Sequence, residues 1–346
     1  MVGAFSFGSA KCRMMLPPAV KSRLHAIGDS DLSAIVHAAV EAGDAIARTK
    51  SGAEKTKGDE YVGNHAIVIK DDFISQNIIL KRLYAHSPHA YFIVEEKQSD
   101  AARHTGELLA PRITTRIIKD GKAKPFSRHF YGVDSLDGSS QKAAGLYEWA
   151  ISIGSAYNLD HRSGVIYAPN INGGMLTFGA RGKGVHAFEF GDEVSHRAFT
   201  PGEKGIIHWG VDVPLEPQMH KMQEVLSSGY RTTCMNGSCA LGLALVASKR
   251  VSALVQPTQR VWDWFGGYPL IEESGGLMQF FCFEDNRGKI IMKPGEPKDR
   301  IVFIDKPRRI DYDPTSRNLG FFAVSDRSLA PELREVLSSL YNGRAA

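Results

Sequence analysis

The sequence predicts an α+β protein whose sheets and helices come in blocks, stacked as layers. Two observations carry this. Apolar residues recur at helical spacing in some stretches and as short β-branched or aromatic runs in others, and the two kinds are grouped instead of strictly alternating. A 346-residue chain with 43% hydrophobic residues also has enough apolar surface for sizeable cores.

After Asp29 and Ser30, either able to cap a helix, Leu32, Ile35, Val36, Ala39, Val40 and Ile46 share one helical face, which predicts a helix to about Thr49. Phe73, Ile74, Ile78, Leu80, Leu83 and Tyr84 predict a second, starting just after the acidic pair Asp71-Asp72 at its positive end. Residues 90–94 read as a buried strand ending in Glu95-Glu96, and 97–128 as a long, polar and basic surface insertion or lid. A strand-like run at 130–133 leads directly into Asp134, and three further candidates at 149–157, 164–168 and 175–178, joined by turn-rich links, predict an antiparallel meander. Residues 190–206 lose periodicity and carry glycine and proline, which marks a boundary. Beyond it come helices near 215–228 and 238–248, a strand at 251–255 and a Trp262-Asp263 turn opening a last helix, which Pro269 should kink or delay. The chain thus divides into an N-terminal extension (1–30), a half carrying acidic motifs (31–190) and a second half (191–346). In the extension, Pro17-Pro18 interrupts any amphipathic helix; a frayed terminus and a basic targeting segment both fit it.

Composition excludes several functions. A net charge of +4 without a concentrated basic stripe does not support nucleic-acid binding. No run approaches the ~18 apolar residues of a membrane span. Cys12, Cys234, Cys239 and Cys282 form no Cys-x-x-Cys pair, which suits reduced thiols and a cytoplasmic location.

The chemistry lies at element ends. Glu95-Glu96, Asp134 with Asp137, and Asp263 each border an apolar element, where carboxylates from distant segments can converge. Singly, a Glu-Glu pair reads as a solvated loop, Asp-x-x-Asp-Gly as an Asx turn and Trp-Asp as a helix cap. Together they are hard oxygen donors of the kind Mg²⁺ takes alongside water and substrate phosphate. In Asp134-Ser-Leu-Asp137-Gly-Ser-Ser140 the glycine frees the turn, and the amides and hydroxyls that follow can face a phosphate.

This ordered set, continued by Ala150-Ile-Ser-Ile-Gly154, Arg181-Gly-Lys-Gly184, Gly237-Ser238 and Trp262-Asp263 through Glu273-Ser-Gly-Gly276, resembles the inositol monophosphatase family over residues 31–335. The resemblance implies a layered α-β-α-β-α sandwich of the sugar phosphatase type, a homodimer, and a phosphomonoesterase acting on a small polyol, sugar or nucleotide phosphate. It implies two or three Mg²⁺ held by Glu95, Asp134, the Leu136 carbonyl, Asp137 and Asp263, with Asp71 completing a third position. Asp71 and the Ser139 hydroxyl would activate the attacking water beside Glu95. Gly138, Ser139 and Ser140 would receive the phosphate, Gly237, Ser238 and Gln256 the rest of the substrate, and Glu96 would orient ligands. Ser135 stands where the family carries proline, which loosens the turn. Gln256 stands where inositol-specific members carry glutamate, which points to a bulkier or more anionic leaving group, read by this amide. A catalytically silent phospho-ligand-binding or regulatory protein on the same fold is the alternative.

Overall fold

The structure, a computed structural model, describes residues 16–49, 55–56, 67–97, 105–118, 128–195, 200, 202–210, 229–230, 232–234, 237–288, 300–312 and 319–342. The first element among the described residues is a helix not predicted from the sequence, α1 (Pro18–Ile27). Pro18 occupies its first position, where the missing N–H costs nothing, so the proline pair starts a helix instead of breaking one. Gly28 ends it in the left-handed conformation, with φ 70°. Val20 and Leu24 bury the inner face, and Arg23 reaches Glu193 at 2.6 Å.

Helix α2 (Ser30–Ala47) is capped by Asp29, whose carboxylate accepts from the Asp31 and Leu32 amides, and it buries the predicted face. A two-residue antiparallel pair, β1 (Lys55–Thr56) and β2 (Ile67–Val68), precedes α3 (Lys70–His86). This helix starts earlier than expected, so Asp71 and Asp72 lie inside its first turn, with Asp72 Oδ2 accepting from the Ile69 amide at 2.6 Å.

The first sheet has seven strands in sequence order. They are β3 (Tyr91–Val94), β4 (His129–Asp137), β5 (Ala150–Tyr157), β6 (Asp160–Ala168), β7 (Met175–Ala180), β8 (Gly184–Glu189) and β9 (Asp192–Val194). All neighbours are antiparallel except β3 and β4. Among the described residues, two short helices with full bounds lie between these strands, α4 (Pro111–Thr114) and α5 (Ser139–Ala143). The described part of the 97–128 stretch lies at the surface, anchored by buried Leu109, Ile113 and Ile118, and Ile117 bridges in parallel to Phe92 of β3. It covers the edge of the sheet, as unpaired strand edges require. The remaining residues of that stretch lie outside the described ones.

The second sheet comprises β10 (Ile206–Trp209), β11 (Thr232–Cys234), β12 (Ala253–Gln259), β13 (Leu277–Glu284), β14 (Arg300–Ile304) and β15 (Leu319–Val324), in the order β11-β10-β12-β15-β13-β14. Three helices sit between the sheets: α6 (Cys239–Ala247), α7 (Val261–Phe265) and α8 (Gly267–Glu273). Gly266 separates the last two, and Pro269 falls in the first turn of α8, where proline is tolerated, so the anticipated interruption is a clean break. The helix expected at 215–228 lies outside the described residues. A last helix, α9 (Ala330–Asn342), covers the far side of the second sheet through Leu333 and Leu337.

Among the described residues, three large cores separate the layers. One joins α1, α2 and α3 to the outer face of the first sheet, a second embeds α6, α7 and α8 between both sheets, and a third lies under α9. The architecture is therefore an α-β-α-β-α sandwich. No helix of the described residues is long and apolar enough to cross a membrane.

Within the central core, His161 of β6 is buried among Trp264, Phe265 and Tyr268, with Nε2 3.0 Å from the Tyr312 hydroxyl. Burial disfavours its charged form and pushes its pKa down to about 3. An unfolded histidine, near 6.5, takes up a proton that the folded one refuses. The stability this histidine contributes is thus complete above about pH 6.5 and declines as pH falls towards about 3. Urea unfolding of wild type and His161→Phe across that window should show the wild type losing stability more steeply with acid; parallel curves would contradict the buried neutral ring.

Candidate active site

Strand β4 delivers Asp134 and Asp137 through a bulge. Asp134 pairs with Ser152 and Asp137 with Ala150, so one strand has a residue more than its partner, which re-aims the side chains at its end. Gly138 follows at φ 96°, where a Cβ would lie 2.9 Å from the Glu148 carbonyl, so only glycine turns the chain into α5 here.

The first turn of α3 faces this bend. Ser139 Oγ sits 2.7 Å from Asp72 Oδ1 and 3.0 Å from the Leu136 carbonyl. The hydroxyl-carboxylate pair expected of Ser139 and Asp71 is therefore formed by Ser139 and Asp72. Successive residues of a helix point about 100° apart, so only one of two adjacent carboxylates can face the bend. Asp71 turns instead to Lys142, at 2.9 Å, and to Thr49 Oγ1, at 2.5 Å. Of the two oxygens of Asp71, Oδ2 is the one taken by these partners, and the carboxylate is directed away from Ser139.

Ser135 does not loosen the turn. Its hydroxyl donates to the Asp72 carbonyl at 3.1 Å, and its own carbonyl accepts from Ser75 at 2.6 Å, so the residue in the proline's place ties β4 to α3 from both sides. Gln76 does the same for the acidic pair after β3. Its amide accepts from the Glu96 N–H and donates to the Glu96 carbonyl, both at 3.0 Å, and so imitates a strand partner. Glu95 is half-buried and Glu96 buried. Sequence reasoning missed Gln76 and Ser75; polar residues on a helix face otherwise facing the core were the available signal.

The second half reaches the site twice. At the start of α6, Ser238 caps the helix by accepting from the Leu241 amide at 3.1 Å and donates to Asp137 Oδ2 at 2.7 Å; the Ala240 amide donates to the same oxygen. Ser238 is thus engaged in orienting Asp137, and Gly237, at φ 69°, adopts the left-handed conformation beside the end of the Gln141 side chain. Asp263, in the first turn of α7, accepts from the Arg260 amide at 2.6 Å.

What seats α7 is a row of glycines. Gly132, Gly154, Gly164 and Gly179 are cross-strand neighbours on β4, β5, β6 and β7. Cβ atoms on the first two would lie 2.3 and 2.6 Å from the Phe265 ring, and one on Gly164 would lie 2.1 Å from the Gly266 carbonyl. The helix pair therefore lies directly on bare backbone. Behind it, Glu273 accepts from the amides of Gly182 and Gly184, which accounts for the Arg181-Gly-Lys-Gly184 hairpin as a docking point.

Gln256 is placed otherwise than expected. It is buried at 2% exposure, packed on the Gly210 backbone, with Oε1 accepting from Gln259 at 3.0 Å. Its engagement gives no support to a role in reading the leaving alcohol.

The donor set, carboxylates plus the Leu136 carbonyl, has the hard-oxygen chemistry of a Mg²⁺ site and lacks imidazole or thiolate. Among the described residues no three acidic, histidine or cysteine side chains are drawn together at ligand spacing. Asp134, Asp137 and Asp263 accept from backbone amides instead.

The profile of the inositol monophosphatase family matches residues 29–294. An inositol monophosphatase 1 of Solanum lycopersicum is 27% identical over 253 residues, 71% of this chain and 83% of the relative. A Nus factor SuhB of Xylella fastidiosa is 24% identical, covering 61% of this chain and 80% of that one. Among solved structures, the extragenic suppressor protein suhB of Bartonella henselae superposes with a TM-score of 0.61 at 19% identity, over 89% of this chain and 98% of that one. The IMPase of Thermotoga maritima gives 0.58 at 18% identity, over 88% and 95%. These likenesses show a shared fold.

The glycine row makes a specific demand. Gly164→Ala would drive a methyl into a backbone carbonyl that has no rotamer to change, and should destabilise the protein by about 1–3 kcal/mol. The urea midpoint reads it, and an unchanged midpoint would mean that α7 and α8 are not seated on this row.

Proposed function

The chain belongs to the inositol monophosphatase family, and from that membership we propose that it is a Mg²⁺-dependent phosphomonoesterase acting, as a homodimer, on a small polyol, sugar or nucleotide phosphate. The observation that carries the reading is the bond between Ser139 and Asp72 at the bend that follows Asp134-Ser-Leu-Asp137. A hydroxyl backed by a buried carboxylate is a proton path, and it sits at the glycine turn that follows Asp137.

In this reading Glu95, Asp134, Asp137, Asp263 and the Leu136 carbonyl hold the metal. Bound Mg²⁺ supplies positive charge to the phosphoryl oxygens and makes a coordinated water more acidic. The chain's own residues do the remainder. The amides of Gly138, Ser139 and Ser140 orient the phosphate. The Ser139 oxygen accepts the proton of the attacking water as its own proton passes to Asp72 Oδ1. Gln76, by clamping the Glu96 backbone, sets the direction of the Glu95-Glu96 pair, and Ser238 sets that of Asp137.

The regulatory, catalytically silent reading is favoured by one observation, that several relatives are named Nus factor SuhB. A phosphate-release screen with Mg²⁺ separates the two. Its panel comprises inositol 1-phosphate, fructose 1,6-bisphosphate, histidinol phosphate, 2'-AMP and 3'-phosphoadenosine 5'-phosphate. Turnover of at least one ester, abolished by exhaustive chelation, is the expected result; no release from any, by folded protein, would favour the silent reading.

Within an active enzyme, Ser139→Ala and Asp72→Asn should each lower kcat by about 10²-fold, and the double variant by little more than either, because both remove the same proton path. Asp71→Asn should leave kcat within about threefold. The reverse ranking of the two aspartates would return the proton path to Asp71.

A further inference from the structure

Asp71, Lys142 and Thr49 form a buried knot beside the site that the reaction above does not use. The ion pair between Lys142 Nζ and Asp71 Oδ2 is 2.9 Å long, with side-chain exposures of 5% and 1%. Lys142 also donates to the Thr49 carbonyl at 3.2 Å and lies over the Trp149 ring, 5.0 Å from its centroid. Asp71 Oδ1 is buried and has no hydrogen-bond partner. The knot is attached to the phosphate-receiving bend at two points. Lys142 belongs to the same short helix as Ser139 and Ser140, and Asp71 is the chain neighbour of Asp72, the partner of Ser139.

This arrangement raises an electrostatic question. Asp71 and Asp72 are adjacent and both fully buried, and Asp72 holds Ser139 at the bend to which the proposed function assigns the phosphate dianion. Interaction between charges at such short range in a poorly solvated region is strong and little screened by salt. Two uncompensated carboxylates would oppose anion binding. Only one of them, Asp72, takes part in the proton path, so the other needs a permanent countercharge if the site is to accept an anion.

We propose that Lys142 is that countercharge: a positioning residue that does not touch substrate, cancels the charge of Asp71 and thereby tunes the bend at 138–140 for a phosphate dianion. The proposal rests on the phosphomonoesterase reading and adds a determinant of anion affinity to it. It also distinguishes Lys142 from an ordinary internal ion pair, whose two members matter for folding alone.

The test uses the full chain with saturating Mg²⁺ and inorganic phosphate as the probe, titrated by calorimetry, together with steady-state kinetics on the best ester. Lys142→Met leaves the Asp71 charge unopposed. Phosphate affinity should fall and KM rise by about tenfold, while kcat stays within about threefold. Lys142→Met combined with Asp71→Asn is neutral again and should bring affinity and KM back to within about threefold of wild type. A single variant that binds phosphate like wild type overturns the proposal. So does a double variant as weak as the single one, because the pair would then act only as packing. If Lys142→Met does not fold, Asp71→Asn takes its place: the lysine, now unopposed, should tighten phosphate binding by about threefold or more, and unchanged or weaker binding overturns the proposal. Wild-type protein that neither binds phosphate nor hydrolyses any ester would remove the phosphatase reading and this proposal together. An active wild type with a flat variant series would remove this proposal alone.

Discussion

Close approach of backbone to backbone between the first sheet and the helices packed on it is the constraint on which the candidate site depends. Four glycines in cross-strand register leave a side-chain-free track over β4 to β7, and Phe265, Gly266 and Leu270 lie along it. Asp263 is two residues before Phe265, so the depth at which the ring settles sets where that carboxylate stands relative to the end of β4. Any side chain in the track would lift the helix pair, and with it the second half's contribution to the site. Packed interiors do not absorb such a displacement smoothly.

The second tie between the halves is polar. Asp137, from the first sheet, accepts from Ser238 and from the Ala240 amide at the start of α6. A carboxylate there is favoured by the unpaired amides and the helix dipole, so the contact both caps α6 and aims Asp137. The two halves are each incomplete without the other: one brings the bulge and the bend, the other the helix ends that orient them.

Around the bend, the chain replaces rigid covalent geometry with hydrogen bonds. Where the family carries a proline, Ser135 holds the turn through the Asp72 carbonyl and Ser75. The consequence is that the first turn of α3 serves as a common anchor. It binds Ser135 and Ser139 through Asp72, Lys142 through Asp71, and the Glu96 backbone through Gln76. Such buried polar networks fix geometry when every member is satisfied, and they couple changes at one residue to the others.

Much of this was legible in advance where local physics decides. The apolar face of α2, the meander from β5 to β7, and the interruption around Pro269 follow from periodicity, from turn residues and from proline's missing N–H, and each appears in the fold. Helix α1 was not, because Pro17-Pro18 reads equally as a breaker or as a first turn until Val20 and Leu24 have a surface to bury against. The anchoring of the described part of the basic stretch was hidden for a related reason: it lies at the surface as its composition implies, but Leu109, Ile113 and Ile118 are too sparse to show a period, and only the open edge of β3 gives them a place.

By itself the sequence determined the residue types and their order: hard oxygen donors at the ends of apolar elements, a glycine turn, and an arrangement of motifs that resembles one family. It could not decide which of Asp71 and Asp72 faces Ser139, since adjacent helical residues differ only in rotation about an axis whose orientation packing sets. Nor could it decide that Gln256 and Ser238 turn inward to protein partners, or that four glycines spread over 48 positions line up as one track. Those outcomes are made by contacts between segments remote in the chain, and they exist only once both sheets have closed on the helices between them.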